Sequence, residues 1–196
     1  SKSSLQVIDK ALVLSLLLHT FQKRFFNGLP YFVHPLLVTL ELITSYEILK
    51  FLPEKEAAEY LSASLLHDTI EDAPEGILQT WPLPSGGKGE ETEIYYRGIT
   101  ISLIKDILGE SILAKTLDLT EPPKMAGQET IEIEENHVKS LLNKSVWLRN
   151  IKFTNWLDNI KDLKLWPDRN AAANFIIKKF PNIMLLLRGE QDRPLD

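Results

Sequence analysis

An apolar run through Leu65 and Leu66 ends abruptly in His67-Asp68 and, after Thr69 and Ile70, in Glu71-Asp72. Such a run reads as a buried helix, and ionisable side chains are rarely buried unless paired. Four of them closing a core helix therefore call for a chemical reason. On one helix face, i/i+4 pairs stack, so Glu71 lies over His67 and Asp72 over Asp68. One imidazole and three carboxylates then share a narrow arc. Imidazole with carboxylate suits a divalent transition metal, and spare carboxylates nearby can orient or deprotonate a water. A second imidazole, His34, precedes Pro35, a residue suited to the first turn of a helix. Held at that helix start and facing the same core, His34 joins His67 and Asp68 as a candidate metal ligand. Glu71 and Asp72 are the candidates for work on the water. These residues argue for metal-assisted hydrolysis of a phosphoester.

The elements that must carry them are helical. Residues 4–25 place Leu5, Ile8, Leu12, Leu16, Phe21 and Phe25 at helical spacing. Residues 35–51 form a second dense pattern, and Pro53-Glu54 opens a third that runs through Ala57, Leu61 and Leu65 into the His-Asp cluster. Residues 82–92 are rich in Pro, Gly and charge and read as a surface loop. Residues 99–107 and 111–117 read as short helices, and 121–128 as a loop. Residues 131–163 carry a long interrupted helical pattern, 170–187 the last helix, and the chain from 191 a polar tail. The only strand-like stretch, Glu93-Ile94-Tyr95-Tyr96, is too short to build a sheet. The expected fold is all-α, a helical bundle forming one domain over residues 1–196.

Composition bounds the function. A chain of 196 residues with 44% apolar residues can bury one sizeable core. The absence of cysteine removes any disulfide scaffold or thiolate metal site. A net charge of −5 argues against binding long nucleic acid, though not against a small nucleotide in a locally basic cleft. The leucine-rich run after Ala11 meets His19, Gln22, Lys23 and Arg24 too soon for a membrane span. A cytoplasmic protein with no membrane partner is expected. No feature sets an oligomeric state.

Several other features have plainer readings. Ser85-Gly86-Gly87-Lys88-Gly89 evokes a phosphate loop, but no Gly stands five positions before Gly87 and no Ser or Thr follows Lys88. His19 reads as a structural helix residue and His137 as a solvated one. Lys139, Lys144, Arg149 and Lys152 drift around a helix and read as a solvated face. Trp147 and Trp156 read as packing residues.

In order along the chain, four pieces resemble one family. They are His19-Thr20-Phe21-Gln22-Lys23-Arg24, Gly28-Leu29-Pro30-Tyr31-Phe32-Val33-His34-Pro35, Leu65-Leu66-His67-Asp68-Thr69-Ile70-Glu71-Asp72, and the segment from Ile151 to Leu163. Together they resemble the HD-domain phosphohydrolases, specifically the hydrolase domains that degrade the alarmone (p)ppGpp. The resemblance spans residues 5 to 185, and its third piece is the most specific.

The resemblance implies an HD-domain helical bundle, a divalent metal (Mn²⁺) and removal of the 3′-diphosphate from a guanosine nucleotide. It also implies that position 155 completes the metal site with His34, His67 and Asp68, and that Arg24 and Asn159 contact substrate. The chain departs from the pattern in a loop before Gly28 that is one residue longer, and at three residues. The family's ligand Asp is Asn155, which is neutral and a weaker ligand for a hard cation. The family's His or Tyr ring is Asp158, a carboxylate one helical turn on that offers compensation. The family's Lys after Arg24 is Phe25. Two further readings follow from these departures. One is a degenerate member that binds a nucleotide or partner without efficient turnover. The other is an HD phosphohydrolase acting on a different nucleotide.

Overall fold

A computed structural model describes residues 2–24, 28–72, 76–80, 90–124 and 127–188. Phe25, the Gly-rich residues 85–89 and the tail from 191 lie outside them. The described residues form α1 (Lys2–Leu18), α2 (Val33–Thr44), α3 (Ile48–Phe51), α4 (Glu54–Leu66), α5 (Glu90–Leu108), α6 (Glu110–Leu119), α7 (Thr130–Leu141), α8 (Val146–Asp162) and α9 (Arg169–Arg188). The all-α expectation holds: among these residues the only β pairing is an isolated bridge between Lys23 and Pro30. No described helix is long and apolar enough to cross a membrane.

Helix α4 is central because of what its residues leave out. Ala57, Ala58, Ser62, Ala63 and Ser64 are buried beside Tyr60, Leu61, Leu65 and Leu66, so little of the helix is wet. Small side chains around the helix let α1, α2 and α6 close on it from different sides. One flank feeds a cluster with Val38, Leu42, Leu141, Ile151 and Trp156. The other feeds a cluster with Ala11, Leu14, Leu18, Ile104 and Leu113. Each fully buried Leu contributes about 1.5–3 kcal/mol, so two apolar seams fix α4 along its length. Two hydroxyl contacts cross the seams: Ser15 Oγ donates to the Leu65 carbonyl (2.6 Å), and Thr39 Oγ1 lies 3.0 Å from Ser64 Oγ.

Several boundaries move from their expected places, each for a local reason. The first helix stops at Leu18 rather than running to 25, and Phe21 adopts a positive φ of 76° that ends any helical continuation. The second pattern splits into α2 and α3 at Glu47, which has φ 51°. Residues 90–92, expected in the loop, open α5, and the strand-like Glu93-Ile94-Tyr95-Tyr96 is helical. An i/i+4 pair between Arg97 Nε and Glu93 Oε1 (3.0 Å) supports the helix there. The pattern over 131–163 is two helices, with Ser145 capping α8 by accepting from the Trp147 N–H (3.2 Å).

Two glycines carry opposite consequences. A Cβ at Gly76 would lie 1.8 Å from the Leu18 carbonyl oxygen, so only glycine permits this approach to the end of α1. A Cβ at Gly98, in the middle of α5, would meet nothing within 4 Å. In urea unfolding, Gly76→Ala is expected to lower stability by about 1–3 kcal/mol through overpacking. Gly98→Ala is expected to raise it by about 0.5–1 kcal/mol.

Candidate metal centre

Three elements bring the sequence candidates together. His34 lies in the first turn of α2, where Tyr31 and Pro30 carbonyls accept the His34 and Val33 N–H groups. Pro35 follows in that turn, where its missing N–H costs nothing. His67 and Asp68 sit on the turn that closes α4. Thr69 draws that turn tight by donating both its N–H (3.0 Å) and its Oγ1 (2.7 Å) to the Leu66 carbonyl. Asn155 and Asp158 project from the buried side of α8.

Ligand-capable atoms of His34, His67 and Asp68 all lie within 4.8 Å of one another, and all three residues are buried. The His67 Nδ1–H donates to the Ser64 carbonyl (2.7 Å), which fixes the tautomer and leaves Nε2 with a lone pair. That Nε2 is buried and has no hydrogen-bond partner. The nearest carboxylate oxygen, Asp68 Oδ1, is 3.2 Å away. On His34, Nδ1–H donates to Asp158 Oδ2 (2.7 Å), while Nε2 faces Asn155 Oδ1 (3.2 Å) and Asp68 Oδ2 (3.3 Å). Asn159 Nδ2 donates to Asn155 Oδ1 (2.8 Å), so the amide oxygen is turned toward His34. A bare imidazole nitrogen, a second imidazole facing two oxygens and a buried carboxylate are a donor set that fits a divalent transition metal.

The electrostatics agree. Burial alone would lower the His34 pKa, but hydrogen bonds to Asp158 and Asp68 and their charges raise it to about 9. Burial would raise the Asp68 carboxyl, yet the neighbouring His67 and His34 imidazoles hold it well below the usual carboxylate range. The site thus favours positive charge. Tyr31 adds a neutral donor: its O–H donates to Asp68 Oδ2 (2.8 Å), and burial followed by the charges of Asp68 and Asp72 pushes its pKa well up.

The other sequence candidates take distinct places. Beyond the end of α4 the Asp72 N–H still donates to the Asp68 carbonyl (2.9 Å), which keeps one helical turn, and Glu71 and Asp72 each find a partner of their own. Glu71 Oε1 accepts the Glu121 N–H (2.5 Å), beside the Lys152–Glu121 ion pair (2.9 Å). Asp72 Oδ2 accepts from Gln22 Nε2 (3.0 Å), whose Oε1 pairs with His19 Nδ1 (2.7 Å). Arg24 is clamped by two carboxylates of α8, Asp158 (2.5 Å) and Asp162 (2.9 Å). Asp158 is set behind the His34 ring, not on its Nε2 side.

Three plainer readings are corrected. His137 is buried and donates from Nε2 to the Asp118 carbonyl (2.9 Å). Arg149 and Lys152 are buried rather than solvated. Lys152 was the missed residue. Its position between Glu71 and Glu121 depends on the loop after α6, which helical periodicity does not place.

The chain was compared with known proteins. No protein-family model and no curated protein sequence matches it. A solved structure described as a metazoan ortholog of SpoT that hydrolyses ppGpp and plays a role in starvation responses matches with a TM-score of 0.62 and 20% identity. The match covers 93% of this chain and 86% of that one. This chain has the fold of a ppGpp hydrolase. At 20% identity the likeness establishes the HD-type helical fold.

Burial, offset in part by Lys152 and reinforced by Asp68 and Glu121, raises the Glu71 pKa to about 8. Between the ordinary carboxyl value and pH 8 the native state therefore holds a proton that the unfolded chain has released, and stability falls as pH rises through that window. Between about pH 5 and pH 8, metal-free Glu71→Gln is expected to lose less unfolding free energy than the unaltered chain. Urea titrations at several pH values check this.

Proposed function

We propose that this chain is a metal-dependent phosphohydrolase that removes the 3′-diphosphate from (p)ppGpp or a close 3′-phosphorylated guanosine nucleotide. The observation that carries the reading is His67 Nε2: a buried imidazole nitrogen, locked as a lone pair, bare beside His34 and Asp68. The likeness of the whole fold to a ppGpp hydrolase supports the choice of substrate. His34, His67, Asp68 and the Asn155 amide oxygen would hold the ion, for which Mn²⁺ is proposed. A divalent cation there supplies charge that offsets anionic phosphoryl oxygens and acidifies water.

The residues around it divide the remaining work. Asp72, held by Gln22, orients the water or accepts a proton from it. Glu71, protonated at neutral pH without the ion, can hold and return one. Tyr31 orients the Asp68 carboxylate. Asn159 aims the Asn155 oxygen, and Arg24 ties the segment before α2 to α8. In this proposal both contribute to substrate binding through the surface they hold in place. The partner is a small nucleotide, and the location proposed is cytoplasmic.

A second reading, binding without efficient turnover, is favoured by one observation. The corner supplied by Asn155 is neutral, and its oxygen already accepts a hydrogen bond from Asn159.

Product release from ppGpp across a Mn²⁺ titration separates the two. Activity is expected to rise with added Mn²⁺ and to be lost in His67→Ala. Activity that appears only in Asn155→Asp supports the second reading. No activity in either protein at saturating Mn²⁺ excludes the alarmone as substrate. Glu71→Gln and Asp72→Asn are each expected to slow turnover by about 10²–10⁴-fold with Mn²⁺ still bound. A variant that loses Mn²⁺ but keeps its rate at high Mn²⁺ would instead mark that residue as a ligand.

A further inference from the structure

The two departures on α8 lie one helical turn apart, and the structure shows what the second does. Asp158 Oδ2 is 2.7 Å from His34 Nδ1, on the opposite side of the ring from the Nε2 that faces Asn155 and Asp68. The same oxygen receives Arg24 Nη1, and Asp162 takes Arg24 Nε. The carboxylate is therefore held from two sides, with its charge against the back of a ligand-type imidazole and buried from water. An aromatic ring at this position would bring no charge to that place. A metal-ligating histidine is oriented and made more basic by a carboxylate on its other nitrogen.

We propose that Asp158 is a positioning residue that compensates for the neutral Asn155. Its carboxylate locks His34 with Nδ1 protonated and Nε2 directed at the cation site. It also returns, through the imidazole, the negative charge that position 155 does not supply. The site keeps two carboxylates, Asp68 in contact with the ion and Asp158 one ring behind it. This deepens the metal reading above and rests on it.

Isothermal titration of the metal-stripped full chain with Mn²⁺ alone is the test, beside thermal unfolding of each variant. Asp158→Asn keeps the volume and a hydrogen-bond acceptor and removes only the charge. It is expected to weaken Mn²⁺ binding about 10–100-fold. Asp162→Asn, which touches Arg24 but not His34, is expected to leave Mn²⁺ affinity unchanged. Asn155→Asp should tighten binding more in the Asp158→Asn background than in the unaltered chain, because two carboxylates then no longer compete to balance one ion. Imidazole ¹⁵N spectra of the Zn²⁺-loaded protein should show His34 as a single Nδ1–H tautomer, blurred in Asp158→Ala.

Unchanged affinity in Asp158→Asn and additive effects with Asn155→Asp would overturn the proposal while leaving the metal site standing. A lower melting temperature with unchanged Mn²⁺ affinity would do the same, since it marks a purely structural role. No uptake of Mn²⁺ by the unaltered chain would overturn the metal reading and this proposal together.

Discussion

Everything at the centre of this protein depends on one buried ring. His34 is almost fully enclosed, and it stands between Asp158 on one side and Asp68 with Asn155 on the other. Removing a carboxylate from water costs several kcal/mol unless a partner repays it. Asp68 and Asp158 are both buried, and against that burial the Asp68 pKa is held down by His67 with His34 and the Asp158 pKa by His34 with Arg24. Without that imidazole, Asp158 would keep only Arg24 and Asp68 only His67 and Tyr31, and nothing would link the two carboxylates. The interaction that ties α2 to α8 is thus also the one that assembles the site.

The packing of α4 makes that assembly rigid. Small residues on several sides of the helix leave no slack for it to rotate, and its apolar flanks belong to different clusters. Its last turn is closed by Thr69 and not by further helix. His67 and Asp68 therefore emerge at a fixed angle, and Ser64 holds the His67 ring from below. A second layer of polar contacts surrounds this one. Gln22 links His19 to Asp72, while Glu121 and Lys152 receive Glu71. The α1 end and the loop after α6 are so drawn to the same place. Lys152 and Lys179 each stand 6.0 Å from the Trp156 ring, a packing residue that also accommodates cations.

The charge distribution agrees with the proposal of a small anionic ligand bound through a cation. The buried bases near the site, Arg24 and Lys152, are committed to Asp158, Asp162 and Glu121. A chain of net charge −5 has no broad positive field to attract a polyanion.

Much of this was legible in the sequence. The helical class followed from spacing alone, and so did the choice of His34, His67 and Asp68, since buried imidazoles and carboxylates are rare without a function. Other features belonged to the tertiary structure. Periodicity describes which face of a helix is apolar but not where the helix stops. It therefore did not show that Glu71 and Asp72, past the end of α4 at Leu66, reach the loop after α6 and the end of α1. Likewise, His137, Arg149 and Lys152 looked solvated because side-chain type says nothing of long-range partners such as Asp118 and Glu121. The place of Asp158 also belonged to the tertiary structure. At one helical turn from Asn155 it could lie on the Asn155 side of the His34 ring or behind that ring. Only the packing of α2 against α8, which turns His34 Nδ1 toward it, selects the second.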